Sequence, residues 1–514
     1  MSNRTARIPG SRRVFAWTSA ACISISLLVM IGVSAAGPSI VVPGMAHTSG
    51  GPPWWGSLHL GNWVLFVMWG TAIVAAIGVA TGLIAVARGA RPPVKALLAA
   101  SFIAVAAFAV LPPGGSTDAQ SYGLDGSMVV LNHSPYVDTP VQMAQYGDRF
   151  AVNSPQTWLT AKSDYGPLAT AEEWLSAELG GWSLAQVTFW LKLWVELAFV
   201  AVTLLLDRAL RSNAPMRLRA HLLWSLNPLV LWEIVAAGHI DGLGIAFGLA
   251  GLLTLRFSQP EGSAGRPPRL FARYAAAGAL IGLAADIKSP FLLFGLGAAW
   301  AVRKSPAALA ALGAGATVIL VPSYFAFGTP AVNVLFERGY QVTWDNLYQV
   351  IYRPLGFARY GGQGAPGDLT MIALGLFIVV ALLAFFRLPD RVPGLPAVTP
   401  ALALTFAWIF IWPFQRPWYD VMIIALLALY PRSWLDWVVL ARLCSGAIAY
   451  MESTTADSRS LLQQVQLFQG ERITSSVRLL AVVALVWMCV TRRWGFSSEG
   501  EPTALDAPVL EPQH

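Results

Sequence analysis

Apolar runs close to the length of a membrane crossing follow one another along most of the chain. About fourteen can be drawn between Val14 and Val490, and a helix needs about 20 mostly apolar residues to cross a bilayer. Charged residues make up only 12% of the chain, which is about half their share in a soluble globular protein. The sequence therefore predicts an all-α polytopic membrane protein with about 12–14 transmembrane helices.

Positive charge is concentrated in the short connections between these runs, which is typical of cytoplasmic loops. The pattern predicts a multi-pass plasma-membrane protein with both termini in the cytoplasm. It also accounts for the net charge of +7 and the pI near 9.4 without a nucleic-acid partner. The positive clusters lie in residues 4–13, 88–95, 208–219, 256–273, 303–304, 387–391 and 492–493.

We expect a single transmembrane domain. Residues 1–13 are interpreted as a cytoplasmic segment, 14–493 as the transmembrane domain, and 494–514 as a disordered cytoplasmic tail. Residues 112–182 form the longest outer loop, and a loop of this length is usually functional. The three cysteines fall in apolar runs at unrelated spacings, which supports neither a disulfide framework nor a zinc site.

One apolar stretch is interrupted by Lys288. The runs Tyr274–Ile287 and Pro290–Val302 are each shorter than a full crossing, and such a break is tolerated where it is buried in protein or lines a wet cavity. A lysine at that depth is costly unless it is paired or faces water. It either holds a phosphate or forms an ion pair with Asp286 or another carboxylate.

Asp118 is the candidate catalytic group of the long outer loop. It follows a membrane helix directly, and a carboxylate there can act as a general base on a hydroxyl. The alternative is an aspartate of a solvated turn at a helix end. A second polar corner, His239–Asp241, is either functional or a simple hairpin turn. With six histidines in the whole chain, we assign no metal site.

Further candidates lie at a late aromatic corner and in the Gly328–Leu369 loop. Arg416, Arg338 and Arg353 are positive charges on the predicted outer side that could meet a phosphate. Trp418 and Tyr419 beside Arg416 could stack on sugar rings, although aromatic residues also collect at membrane interfaces for purely structural reasons.

Taken together, these motifs resemble the GT-C superfamily of glycosyltransferases that use polyprenyl-phosphate sugars. The closest likeness is to the actinobacterial alpha-1,6-mannosyltransferases of lipomannan assembly. The resemblance spans roughly residues 112–419, and where the family typically has His-Asn-Asp this chain has His239-Ile240-Asp241. The matching stretches are Asp118 with Ser121-Tyr122 and Gly126, Ser134–Tyr136, Tyr165–Leu168, Asn227–Leu231, Gly238–Asp241, Ala284–Pro290 and Pro417–Tyr419.

The resemblance implies a GT-C-type helix bundle and an inverting transfer of mannose. The donor is a polyprenyl-phosphate sugar, the acceptor is an alpha-mannan or lipoglycan, and membrane lipid surrounds the protein. No cofactor is required, although a divalent metal would be compatible. Asp118 is expected to be the base. Lys288, Arg416, Arg338, Arg353 and His239 are expected at the donor phosphate or lipid, and Tyr122, Tyr136, Tyr165, Asp241, Trp418 and Tyr419 at the sugar or acceptor.

Other functions stay open at this point. An arabinofuranosyl- or glucosyltransferase of the same superfamily is one alternative. A secondary transporter or lipid flippase is another, because broken helices are common in that class. A non-catalytic partner in an assembly is a third. A long outer loop that begins with an acid favours the enzyme.

Overall fold

A computed structural model describes residues 9–45, 51–152, 158, 160–256, 267–337, 342–352, 367–451 and 460–495. Within these ranges the regular secondary structure is helical and contains no strand, and Ser39 and Val42 form an isolated bridge. The predicted all-α class is confirmed.

α-Helices account for most of the described residues. In chain order they are α1 (Pro9–Ala36), α2 (Trp63–Ala87), α3 (Val94–Ala109), α4 (Asp118–Val130), α5 (Pro140–Gln145), α6 (Arg149–Val152), α7 (Pro167–Gly180), α8 (Leu184–Ala209), α9 (Ala214–Ala220), α10 (Pro228–Val230), α11 (Asp241–Thr254), α12 (Pro267–Ile287), α13 (Leu292–Val302), α14 (Pro306–Phe327), α15 (Thr329–Glu337), α16 (Gln349–Tyr352), α17 (Gly367–Arg387), α18 (Val398–Ile411), α19 (Pro417–Leu429), α20 (Leu435–Ala449), α21 (Leu461–Phe468) and α22 (Ser475–Thr491). Three π-helical segments (His221–Ser225, Leu231–Ala236 and Gln469–Thr474) and a 3-10 turn (Ser289–Phe291) join some of them.

Seven helical segments of the described chain are long and apolar enough to cross a bilayer. They are α1, α2, α8, α12, α14, α17 and the continuous segment Leu461–Thr491. One bent helix pair and four shorter apolar helices add to these seven spans. The described chain thus contains about twelve apolar segments, the lower end of the 12–14 predicted from the sequence. Large apolar side chains such as Phe325 and Val318 on α14 are mostly exposed, as expected of surfaces that face lipid. The chain is a multi-pass membrane protein.

One predicted boundary needs correction. We expected the run ending at Ile287 to be too short to cross, but α12 begins at Pro267 and qualifies as a span by itself. It packs closely on α14, since a Cβ atom added at Gly278 would lie 1.9 Å from the Leu312 carbonyl oxygen. Small residues allow membrane helices to approach in this way. Only the Ser289–Val302 arm after Lys288 is short.

A sharp bend separates residues 214–236 from α11. The direction of the helix axis changes by 116° between the two parts. Pro228 lacks a backbone N–H and so cannot donate a helical hydrogen bond. The Asn227 side chain caps the new helical turn by accepting from the Leu229 N–H at 3.1 Å. Gly238 has a φ of +74°, a left-handed conformation that favours glycine. The bend carries His239 into the protein interior, where it is fully buried.

The predicted loop of residues 112–182 is largely helical. Its helices α4 and α7 pack together so closely that a Cβ atom at Gly126 would lie 2.1 Å from the Glu173 carbonyl oxygen. They share a small apolar core with α8 that includes Tyr122, Met128 and Val187. This packing fixes the direction of α4, and hence the position of Asp118 at its first residue.

Candidate active site

Asp118 lies at the N-terminus of α4, where the helix dipole favours a carboxylate. Its backbone N–H donates to the Ser116 hydroxyl oxygen at 3.1 Å. The side chain is only 5% exposed, and its Oδ1 atom has no hydrogen-bond partner in the described chain. The structure therefore presents a buried carboxylate with one free oxygen rather than the solvated turn residue that was the alternative.

Burial raises the pKa of Asp118 to about 6, and nearby carboxylates of Asp164 and Asp241 act in the same direction. The positive charges of Arg416 and Lys288 oppose this rise. A carboxyl with a pKa near 6 is mostly ionised at pH 7 and still binds a proton more readily than an ordinary aspartate. That combination suits a general base.

Arg416 is the first cation of the site. It precedes Pro417 at the start of α19, and its guanidinium group lies over the rings of Phe414 and Tyr450, with centroids 4.9 and 4.4 Å away. Its Nε atom has no hydrogen-bond partner among the described residues. The arginine is thus held by aromatic faces, and part of its hydrogen-bonding capacity remains available to an anion.

Lys288 is the second cation, and its carboxylate partner is Asp241. The lysine Nζ atom lies 3.0 and 3.1 Å from the two Asp241 carboxylate oxygens. It also lies over the rings of Tyr419 and Tyr165, at 4.3 and 5.0 Å. The sequence offered Asp286 or another carboxylate as the partner, and the structure selects Asp241 at the start of α11.

A partly open cavity has Asp118 and Arg416 on its wall, together with Tyr165 and Tyr419, the two rings that Lys288 contacts. Five buried polar atoms that lack a hydrogen-bond partner in the described chain belong to residues of its wall. Because buried polar groups are nearly always satisfied, this concentration indicates a site for a polar ligand. The atoms are Asp118 Oδ1, Ser121 Oγ, Ser163 Oγ, Arg416 Nε and Trp418 Nε1.

Six of the twelve predicted site residues line this cavity. Lys288 and Asp241 pack directly behind two of its tyrosines. Tyr136 lies apart: it is buried, bonds the Thr170 hydroxyl at 2.8 Å and packs on Phe327. Arg338 and Arg353 fall outside the described residues. The predicted residues on the cavity wall are Asp118, Tyr122, Tyr165, Arg416, Trp418 and Tyr419.

His239 is fully buried and lies behind Asp118 rather than on the cavity wall. Its Nε2 atom is 3.6 Å from Asp118 Oδ2 and 3.1 Å from the Ser116 hydroxyl oxygen. The ring stacks on Trp418 with centroids 3.7 Å apart. This position does not suit the direct contact with a donor phosphate that we expected from the sequence.

Several wall residues had no role assigned from the sequence. Ser121 and Asp125 lie three and seven positions after Asp118 on α4, and this spacing places all three on one helix face. The helical period of α4 could therefore have identified Ser121 and Asp125 from the sequence. Ser163 and Asp164 come from the segment before α7, which no local pattern connects to Asp118. Within the described chain, no group of three or more His, Cys, Asp or Glu residues is arranged to hold a metal ion.

A buried carboxylate and an arginine on the wall of one cavity, with a lysine behind that wall, form a site in a membrane helix bundle. Such a site is suited to transfer of a group from an anionic leaving group. Comparison with known protein families identifies the transferred group as a sugar. A family model described as alpha-(1->6)-mannopyranosyltransferase, N-terminal domain, matches residues 21–304. The match covers more than half of the chain, so the protein belongs to that family and is a mannosyltransferase. No curated protein matches the chain.

The buried pair of Lys288 and Asp241 gives a stability prediction. Replacing Lys288 by Met leaves a buried, unpaired carboxylate, a change that costs about 3–5 kcal/mol in comparable pairs. We expect a clearly lower thermal unfolding midpoint for Lys288→Met in detergent, with partial recovery in the double variant Lys288→Met/Asp241→Asn. The partly exposed Arg217–Asp207 pair serves as the control, and Arg217→Met should have a smaller effect. A double variant no more stable than Lys288→Met would contradict the pairing.

Proposed function

We propose that the protein transfers mannose from a polyprenyl phosphate to an alpha-mannan or lipoglycan acceptor on the outer face of the plasma membrane, with inversion at the anomeric carbon. The observation that carries the proposal is a cavity whose wall includes two buried atoms, Asp118 Oδ1 and Arg416 Nε, that have no hydrogen-bond partner among the described residues. Family membership supplies the sugar class, and a membrane bundle suits a donor carried on a lipid.

Asp118 is assigned as the general base. Its carboxylate takes the proton of the acceptor hydroxyl as that oxygen forms a bond with the anomeric carbon. The bond from the anomeric carbon to the phosphate oxygen breaks, and its electron pair leaves with the phosphate. Inversion needs one base on the face opposite the leaving group, and the cavity provides one buried carboxylate whose Oδ1 lacks a partner among the described residues.

Arg416 and Lys288 are assigned to the leaving phosphate. Preorganised cations in a site with little water stabilise charge that develops in the transition state, since they need not reorganise. In this scheme Arg416 pairs with the lipid monophosphate, and Lys288 adds its positive charge from behind the wall while it stays bonded to Asp241. The scheme requires no metal or other cofactor. Tyr122, Tyr165, Trp418 and Tyr419 line the same cavity as Asp118 and Arg416. They are assigned to the sugar, to which they offer ring faces and hydroxyls.

The donor is tested by assaying purified protein in nanodiscs with polyprenyl-phosphate mannose, polyprenyl-phosphate arabinose, polyprenyl-phosphate glucose and a nucleotide-linked mannose, each with a short alpha-mannoside. We expect transfer from the first donor only. Transfer from lipid-linked arabinose or glucose would move the assignment to the alternative sugars of the superfamily. Transfer from the nucleotide donor alone would overturn the lipid-phosphate proposal.

The raised pKa of Asp118 predicts the acid limb of the pH–rate profile. The base must be ionised, so the single-turnover rate should be constant above the pKa and should fall about tenfold per pH unit below it. With a pKa of about 6 the limb should be centred near pH 6. A limb near pH 4, the usual range of an exposed aspartate, would contradict the burial of the base.

A further inference from the structure

The neighbours of His239 determine which of its ring nitrogens carries a proton. Nδ1 contacts the backbone carbonyl oxygen of Glu233. A carbonyl only accepts hydrogen bonds, so Nδ1 carries hydrogen and is the donor. The ring is fully buried, and the charges of Lys288 and Arg416 disfavour a further positive charge there. The ring is therefore neutral, and Nε2 is an acceptor.

Nε2 faces two groups that belong to the catalytic turn. The Ser116 hydroxyl lies 3.1 Å away and donates to it, while the same oxygen accepts the Asp118 N–H at 3.1 Å. The second group is Asp118 Oδ2 at 3.6 Å. That distance is longer than a hydrogen bond, and catalytic contacts of this kind often tighten only when the substrate is bound. The lone pair of Nε2 thus points towards the base and its supporting serine.

We propose that His239 is a positioning residue for Asp118. Its neutral Nε2 accepts from the Ser116 hydroxyl and so holds the catalytic turn in the resting site. After Asp118 Oδ1 has taken the acceptor proton, rotation of the carboxyl group brings its O–H to Nε2, which then accepts from Asp118 in place of Ser116. The proton stays on Asp118, so His239 is not itself the base. This inference rests on the proposed function of Asp118. A neutral acceptor favours the protonated carboxyl over the ionised one, whereas a cationic histidine would do the opposite.

The same cluster contains the other charges that act on Asp118. Arg416 and Lys288 favour its ionised form, and Asp164 and Asp241 favour its protonated form. Trp418 stacks on the His239 ring and fixes its plane. A His239 variant retains all four charged residues, so a shift in the titration of Asp118 is assigned to the lost acceptor.

The proposal is tested with His239→Asn, His239→Gln and wild type. Asparagine keeps a donor near the Glu233 carbonyl and lacks the Nε2 acceptor, whereas glutamine places an amide oxygen near the Nε2 position. For His239→Asn we expect the single-turnover rate to fall by up to about tenfold, the upper end of the net value of one hydrogen bond between neutral groups, with the acid limb displaced to lower pH. His239→Gln should recover part of the rate and part of the shift of the acid limb. His133→Asn, at a partly exposed histidine paired with Asp138, is the matched control.

A second measurement does not depend on turnover. A hydrophobic carbodiimide modifies protonated carboxyl groups, and mass spectrometry can follow modification of Asp118 against pH. The midpoint should lie near pH 6 in wild type and lower in His239→Asn. A rate loss with an unmoved limb and an unmoved midpoint would show a purely structural role and overturn the proposal. If wild type transfers no mannose but the midpoint shifts as expected, the proposed function fails while the coupling between His239 and Asp118 stands.

Discussion

Replacing Asp118 by Asn is expected to lower the rate of mannose transfer by about 10²- to 10⁴-fold, the usual contribution of a general base. The amide has nearly the same shape but cannot take the acceptor proton. Donor affinity should change little, because the predicted phosphate contacts lie at Arg416 and Lys288. Single-turnover rates and donor binding in nanodiscs measure the two effects separately.

Asp138→Asn is the matched control for this experiment. Asp138 belongs to the same 112–182 segment, pairs with His133 at 3.0 Å, and is absent from the wall of the cavity. Its replacement should leave transfer close to wild type. Retention of transfer by Asp118→Asn would show that another group is the base, and the family assignment would be unaffected.

Arg416→Gln is expected to have the second-largest effect, a fall in kcat of about 10²- to 10³-fold, comparable with the loss of a main charge-stabilising donor in other enzymes. Glutamine keeps a polar group on a shorter side chain and removes the positive charge that is assigned to the leaving phosphate. Arg416→Lys should recover part of the rate. Arg472, an exposed arginine of the Gln469–Thr474 segment, provides the control variant Arg472→Gln.

The kinetic pattern of Arg416→Gln distinguishes two roles. A fall in kcat and in kcat/KM by the same factor means that the arginine acts only in the transition state. A raised KM with unchanged kcat means that it binds the donor and the transition state equally. The second result would contradict its assignment to the developing charge of the leaving group.

The sequence predicted the long helices well because a membrane span needs a continuous apolar run of defined length. It was less informative where helices are short or bent. The π-helical segments around Pro228 do not follow the usual period, so the apolar pattern could not show that the turn at His239 folds back behind Asp118. The helical character of residues 112–182 was also missed, since much of that segment is polar.

The candidate site was partly predictable. Asp118, Arg416 and Trp418 stood out as polar or aromatic groups at the ends of apolar runs, and the structure brings them to one cavity. The partner of Lys288 could not be read from the sequence, because Asp241 lies 47 residues away and reaches it only through packing. Ser163 likewise lies far from Asp118 in the sequence and reaches the cavity only through packing.

The most direct test of the central claim is the linkage of the product formed by wild-type protein from beta-linked polyprenyl-phosphate mannose and a short alpha-mannoside, determined by NMR of the isolated glycan. We expect one added mannose in an alpha-1,6 linkage, which requires inversion and hence a single base opposite the phosphate. A beta-linked product would show retention and contradict the role given to Asp118. Absence of any product from this donor would contradict the proposed polyprenyl-phosphate chemistry.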